Sequence, residues 1–118
     1  GTTKDHVAPW HSVYKMHLFF DTDLTFVLTN GGHNAGILSQ PGHAGRSYQM
    51  ATPHHHDRYP DPDSWAAQVP LQKGSWWPAW VAWLRERSGA PEAPPPMGCE
   101  QAGCPVIGDA PGTYVLQK

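Results

Sequence analysis

An α/β fold is what this sequence predicts, and three stretches predict it. Residues 24–29 form a short apolar run of the kind that becomes a buried strand. Gly31 and Gly32 stop that run and present His33. On either side, residues 10–20 and 76–88 carry apolar side chains at helical spacing. Buried strand, glycine turn and exposed histidine together are how an α/β enzyme presents a general base at the carboxyl end of its sheet. Upstream, Asp5 supplies an acid just ahead of a helix start. Asp5 and His33 therefore read as two members of an acid–histidine–nucleophile triad, with no third member visible in the chain.

Each element has its own signal. Residues 1–6 read as the end of a strand and the loop after it. Pro9 suits the first turn of a helix, where its missing N–H costs nothing. The helix over 10–20 carries Trp10, Val13, Tyr14 and Leu18 on one side and stops at the turn residues Asp21-Thr22-Asp23. After His33, residues 35–38 suit a helical turn and residues 40–45 a loop. Residues 46–52 alternate in part (Tyr48, Met50) and are a strand candidate. Residues 53–62 read as an exposed loop. Asp63 is placed to cap a short helix over 64–69, and Ser75 to cap the helix over 76–88. Arg85, Arg87 and Gly89 are the stop signals of that last helix. Residues 90–111 are rich in Pro and Gly and read as extended. Residues 113–116 suit a final short strand or a docking arm. The expected division is a body over 1–89 and a tail over 90–118.

Composition narrows the function. The chain has 118 residues, one small domain's worth, with 8 basic and 10 acidic side chains and a formal net charge of −2. That balance offers no electrostatic grip on nucleic acid or an anionic membrane. No apolar run approaches the roughly 20 residues of a spanning helix. No signal peptide is expected from Gly-Thr-Thr-Lys-Asp at the start. Leu, Ile, Val and Phe together number only 19, while Gly and Pro supply 25. Six Trp and four Tyr make up part of the missing apolar area. An aliphatic-poor, loop-rich chain of this kind suggests a fragment that packs against a larger body. Cys99 and Cys104 are the only cysteines and do not make a disulfide framework, so they read as reduced tail thiols in a cytoplasmic setting.

At Asp5, His33 and the Trp-rich stretch the sequence resembles a known family. Asp5-His6-Val7-Ala8-Pro9-Trp10 is similar to the segment around the catalytic Asp of polyhydroxyalkanoate synthases, the poly(3-hydroxyalkanoate) polymerases of bacterial storage granules. Residues 26–36, Phe-Val-Leu-Thr-Asn-Gly-Gly-His-Asn-Ala-Gly, resemble the strand and loop that carry the catalytic His there. Residues 74–84 resemble a Trp-rich signature, and residues 110–115 the C-terminal end, most like the class that uses short-chain monomers. The resemblance implies the C-terminal segment of an α/β-hydrolase-type catalytic domain, loop-rich, with a short core strand and two to three helices. It implies a Cys nucleophile in a Gly-x-Cys-x-Gly elbow, which this chain lacks: Cys99 stands in Gly98-Cys99-Glu100-Gln101-Ala102.

By resemblance, then, His33 takes the proton of a cysteine thiol and Asp5 orients the imidazole. The substrate is a 3-hydroxyacyl-coenzyme A thioester, the product a growing polyester chain, and no cofactor is called for. The implied partners are the remainder of the polymerase and, as an option, a second copy of it. The implied location is the cytoplasm at the surface of storage granules. The isolated chain is expected to be inactive. Two rival readings remain open: a piece of an esterase or lipase with a Ser nucleophile, and a non-catalytic assembly module using the Trp-rich helix.

Other candidates have plainer readings. Without the resemblance, Asp5 is most simply a helix cap. His54-His55-His56 are adjacent on a loop and cannot all face one metal ion, so a solvated loop is expected. The Trp-rich helix is expected to pack into the core. His6 is assigned no role.

Overall fold

In a computed structural model that describes residues 1–54 and 56–118, the apolar run becomes β1 (Phe26–Thr29). β2 (Ser47–Ala51) pairs with it antiparallel, Val27 opposite Met50 and Thr29 opposite Tyr48. β3 (Gln72–Lys73) pairs antiparallel with β2, so the sheet order is β1-β2-β3. The other edge of β1 is taken by the first residues of the chain. The Gly1 amino group donates to the Val27 carbonyl at 2.9 Å, and the Thr29 and Thr3 amides bond to the Gly1 and Thr29 carbonyls at 3.0 and 2.9 Å. Thr2 and Thr29 are bridged in parallel. The fold is mixed α/β as expected, but its ladders are antiparallel, and among the described residues the parallel pairing is this one bridge.

Strand alternation gives the sheet two unlike faces. Phe26 and Leu28 are buried on one of them, with Tyr14 and Trp65 from the helices above. The rings meet edge to face: Tyr14 and Trp65 each approach Phe26 with centroids 5.1 Å apart. Aromatic area thus replaces the scarce aliphatic core. On this face Gln49 donates through Nε2 to the Ala66 and Val69 carbonyls, at 2.7 and 2.6 Å.

The helices are shorter than expected. α1 is Trp10–Tyr14, followed by a 3₁₀ turn over Lys15–Leu18, instead of a helix running to residue 20. His17 Nδ1 bonds the Tyr14 carbonyl at 2.9 Å, an acceptor that a continuing α-helix would need. Phe19 and Phe20 beyond it are exposed. α2 is Pro62–Gln68 and is capped by Asp61, not Asp63. Asp61 Oδ1 accepts from the Ser64 amide at 3.0 Å, and Pro62 holds the first helical position that proline favours. Asp63 lies within the first turn and meets His11 Nε2 at 2.9 Å. β3 escaped the sequence reading because two exposed residues carry no alternation.

α3 (Trp77–Arg85) ends three residues earlier than expected, and it is not a core helix: none of its residues is buried. It lies over the second face of the sheet. Trp83 Nε1 donates to Thr25 Oγ1 at 3.1 Å. Trp76, Trp80 and Trp83 line an apolar trough of about 330 Å³ with Val27, Met50 and Ile37. Among the described residues no helix is long and apolar enough to cross a membrane.

The chain divides into two compact units, Gly1–Ser88 and Gly89–Lys118. In the second, Cys99 and Cys104 face each other across an antiparallel bridge, with reciprocal backbone bonds of 2.6 and 2.9 Å. Both thiols are free and exposed. Residues 113–116 do not form the expected short strand; Tyr114–Leu116 is a 3₁₀ turn.

Candidate active site

The site is built at the end of β1 and of the strand-like segment beside it. The Lys4 amide bonds the Gly31 carbonyl at 2.9 Å, which ties the loop after the first strand segment to the loop after β1. Two loops leaving adjacent parallel segments at the same end are brought side by side by that geometry alone. Asp5 leaves one and His33 the other.

Asp5 does two things at once. Its Oδ1 accepts from the Val7 and Ala8 amides, both at 2.9 Å. These amides precede α1, so Asp5 shapes the entry loop and does not cap the helix, whose N-cap position is Pro9. Its Oδ2 is left for His33 Nδ1, 2.8 Å away. The Asp5 side chain is 7% exposed and that of His33 is 46% exposed. The Ala8 amide bond, with the His33 contact next, holds the Asp5 carboxyl at a pKa of about 2. An ionised carboxylate only accepts, so the bonded Nδ1 carries the proton and Nε2 of the neutral ring is the basic nitrogen. An orienting acid, an imidazole with Nε2 free to accept, and partial solvent access form the base half of a nucleophile-activating arrangement.

Glycines let the His33 loop lie where it does. Gly31 has φ +115°, a left-handed conformation that favours glycine. Gly36 is buried: a Cβ there would fall 2.5 Å from Thr2 Cγ2 and 2.8 Å from Thr29 Oγ1. Asn30 fastens the neighbouring loop, donating from Nδ2 to the Gly45 carbonyl at 2.7 Å and accepting the Ser47 amide at 3.0 Å.

The other sequence candidates stand apart. His6 is exposed. His54 Nδ1 lies 3.3 Å from Asp23 Oδ2, and His55 lies outside the described residues. Among the described residues no three His, Cys, Asp or Glu are grouped to hold a metal. Sequence reading missed the start of α3 as part of the site's support. Trp76 and Trp77 both donate from Nε1 to the Ile37 carbonyl, at 3.0 and 2.9 Å. Two adjacent indoles, each with an N–H needing a partner, were the signal available.

Comparison with known proteins decides the ancestry. No protein-family model matches the chain. Curated relatives do, end to end: it is 39% identical over 117 residues to poly(3-hydroxyalkanoate) polymerase 2 of Ectopseudomonas oleovorans. It is 36% identical over 119 residues to the poly(3-hydroxyalkanoate) polymerase subunit PhaC of Cupriavidus necator. It is 35% identical over 119 residues to the poly(3-hydroxyalkanoate) polymerase of Methylorubrum extorquens. The chain belongs to the poly(3-hydroxyalkanoate) polymerase family. Between 98% and 100% of it aligns, yet it spans only about a fifth of the length of those polymerases.

Proposed function

We propose that Asp5 and His33 are the acid and the base of a polymerase that joins 3-hydroxyacyl units from coenzyme A thioesters into a polyester. The observation that carries this reading is the 2.8 Å contact between Asp5 Oδ2 and His33 Nδ1, which leaves Nε2 as the base. The nucleophile is a cysteine in the part of the polymerase that this chain does not span, within an α/β-hydrolase-type domain of which these residues form the C-terminal segment. His33 Nε2 takes the thiol proton. The thiolate attacks the thioester carbonyl carbon, the C–S bond to coenzyme A breaks, and the imidazolium proton goes to the departing coenzyme A thiolate. In elongation His33 takes the proton of a 3-hydroxyl, whose oxygen attacks the enzyme-bound acyl group. An ester forms and the enzyme thiol is regenerated. Asp5 stays ionised throughout and stabilises the imidazolium. No cofactor enters these steps. The polymerase works in the cytoplasm at the surface of polyester granules, and a second copy of it is a proposed partner.

The test uses coenzyme A release from 3-hydroxybutyryl-coenzyme A. The isolated chain releases none, because it holds a base and no activated thiol. A chimera, in which this chain replaces the matching segment of the Cupriavidus necator polymerase subunit, releases it. Turnover by the isolated chain, or a folded chimera without turnover, overturns the proposal.

A further inference from the structure

A histidine on a loop keeps its angle only if the loop is held. Residues 32–38 form one helical turn, in which the Gly36 amide bonds the Gly32 carbonyl at 3.0 Å and the Leu38 amide the Asn34 carbonyl at 2.9 Å. One side of this turn rests on the sheet through buried Gly36. Its far end is tied to the start of α3. The Ile37 carbonyl accepts two indole N–H groups, from Trp76 and Trp77, at 3.0 and 2.9 Å, which uses both of its lone pairs. The Ser75 hydroxyl donates to the Ser39 carbonyl and accepts from the Trp77 amide at 3.0 Å. Ser39 and Ser75 are 2% and 9% exposed, so this link is shielded from water. A shielded bond to a carbonyl constrains its direction more than apolar contact does.

Apolar packing is present, with the Trp76 and Trp80 rings 5.1 Å apart, but it does not account for the direction of the bonds. Trp80, one turn further along α3, is 43% exposed, and no hydrogen bond of its indole N–H occurs among the described residues. The bonded groups at the start of α3 all converge on carbonyls at the end of the His33 turn. We infer that Ser75, Trp76 and Trp77 are positioning residues for His33. They touch no reacting atom, and they act through the Ile37 and Ser39 carbonyls to fix the tilt of the turn that carries the imidazole. This inference rests on the proposed role of His33.

Two readouts keep its failure separate from failure of that role. The first is exchange of the His33 Nδ1 proton with solvent, followed by ¹⁵N-edited NMR on the 118-residue chain. Replacing both indoles (Trp76→Phe with Trp77→Phe) raises the exchange rate about tenfold or more, whereas Trp80→Phe leaves it unchanged. The second is turnover by the chimera described above. There the double variant lowers kcat roughly 10- to 100-fold, the scale of an ångström of misplacement, and moves KM less than about twofold. Ser75→Ala lowers kcat and Ser75→Thr, which keeps the hydroxyl, restores it. Ser75→Ala carries both readouts should the double variant not fold. A chimera inactive even with this segment unaltered overturns the role of His33, and the exchange measurement still decides the positioning. Unchanged exchange in the double variant and in Ser75→Ala, or an equal rise in Trp80→Phe, overturns the inference.

Discussion

The two faces of the small sheet are closed by different physics. On the face of α1 and α2, four buried side chains (Tyr14, Phe26, Leu28 and Trp65) form one cluster, in which Tyr14 and Trp65 each meet Phe26 edge to face. On the face of α3, no helix residue is buried, a trough of about 330 Å³ stays open, and the helix is attached by indole and hydroxyl hydrogen bonds. Apolar burial is strong and non-directional, whereas hydrogen bonds add less net stability and fix direction. The first face therefore holds the unit together. The second orients the loop that carries His33.

The largest expected effect breaks the first face. Trp65→Ala, at a site 3% exposed, lowers stability in urea titration by about 3–5 kcal/mol, the usual range for deleting a buried aromatic ring. Trp80→Ala on the second face costs less than about 1 kcal/mol. Equal losses would erase the distinction between the faces.

A methyl group at the hinge of the site comes next. Gly36→Ala drives a Cβ into Thr2 and Thr29 and destabilises the chain by about 1–3 kcal/mol. Gly32→Ala, four residues earlier, meets nothing within 4 Å and stays within about 0.5 kcal/mol of the parent.

Titration sharpens the contrast further. The Asp5 carboxyl sits at about 2 in the fold against an ordinary 3.8, so the fold favours its ionised form. Its contribution is complete above about pH 4 and is lost as pH falls through 2. Asp5→Asn flattens that acid limb in a pH series of urea midpoints. Tyr14 behaves in the opposite sense on the packed face. Burial first, then the nearby Tyr59 and Asp61, push its phenol up to about 12 from 10.0, so the fold favours the neutral form. That stability is present below pH 10 and fades as pH rises through 12. Phenolate absorbance should show Tyr14 titrating late, and Trp65→Ala should bring it back toward 10.

What was legible from sequence follows the same division. β1 and the glycine loop that presents His33 could be read, because a short apolar run and two glycines are local signals. Asp5 as the partner of His33 came from the family resemblance, since an acid ahead of a proline-led helix reads locally as a cap. β2 could be read from the partial alternation of Tyr48 and Met50. The 3₁₀ turn after Tyr14 could not, since the His17 bond to the Tyr14 carbonyl competes with a helix that the spacing alone favours. Asp61 displaced Asp63 as the cap of α2 because Pro62 sets where that helix begins. The Trp-rich helix misled because helical apolar spacing announces an amphipathic face, not what covers it. Its hydrogen bonds to Ile37 and Ser39 join positions nearly forty residues apart, a separation that no local pattern records.

The most direct measurement of the central claim is kcat for coenzyme A release by the chimera carrying Asp5→Asn beside the unaltered segment. If the carboxylate orients the His33 ring and stabilises the imidazolium formed on proton transfer, kcat falls by roughly 100-fold or more while KM changes little. A folded Asp5→Asn chimera with undiminished kcat would contradict the account.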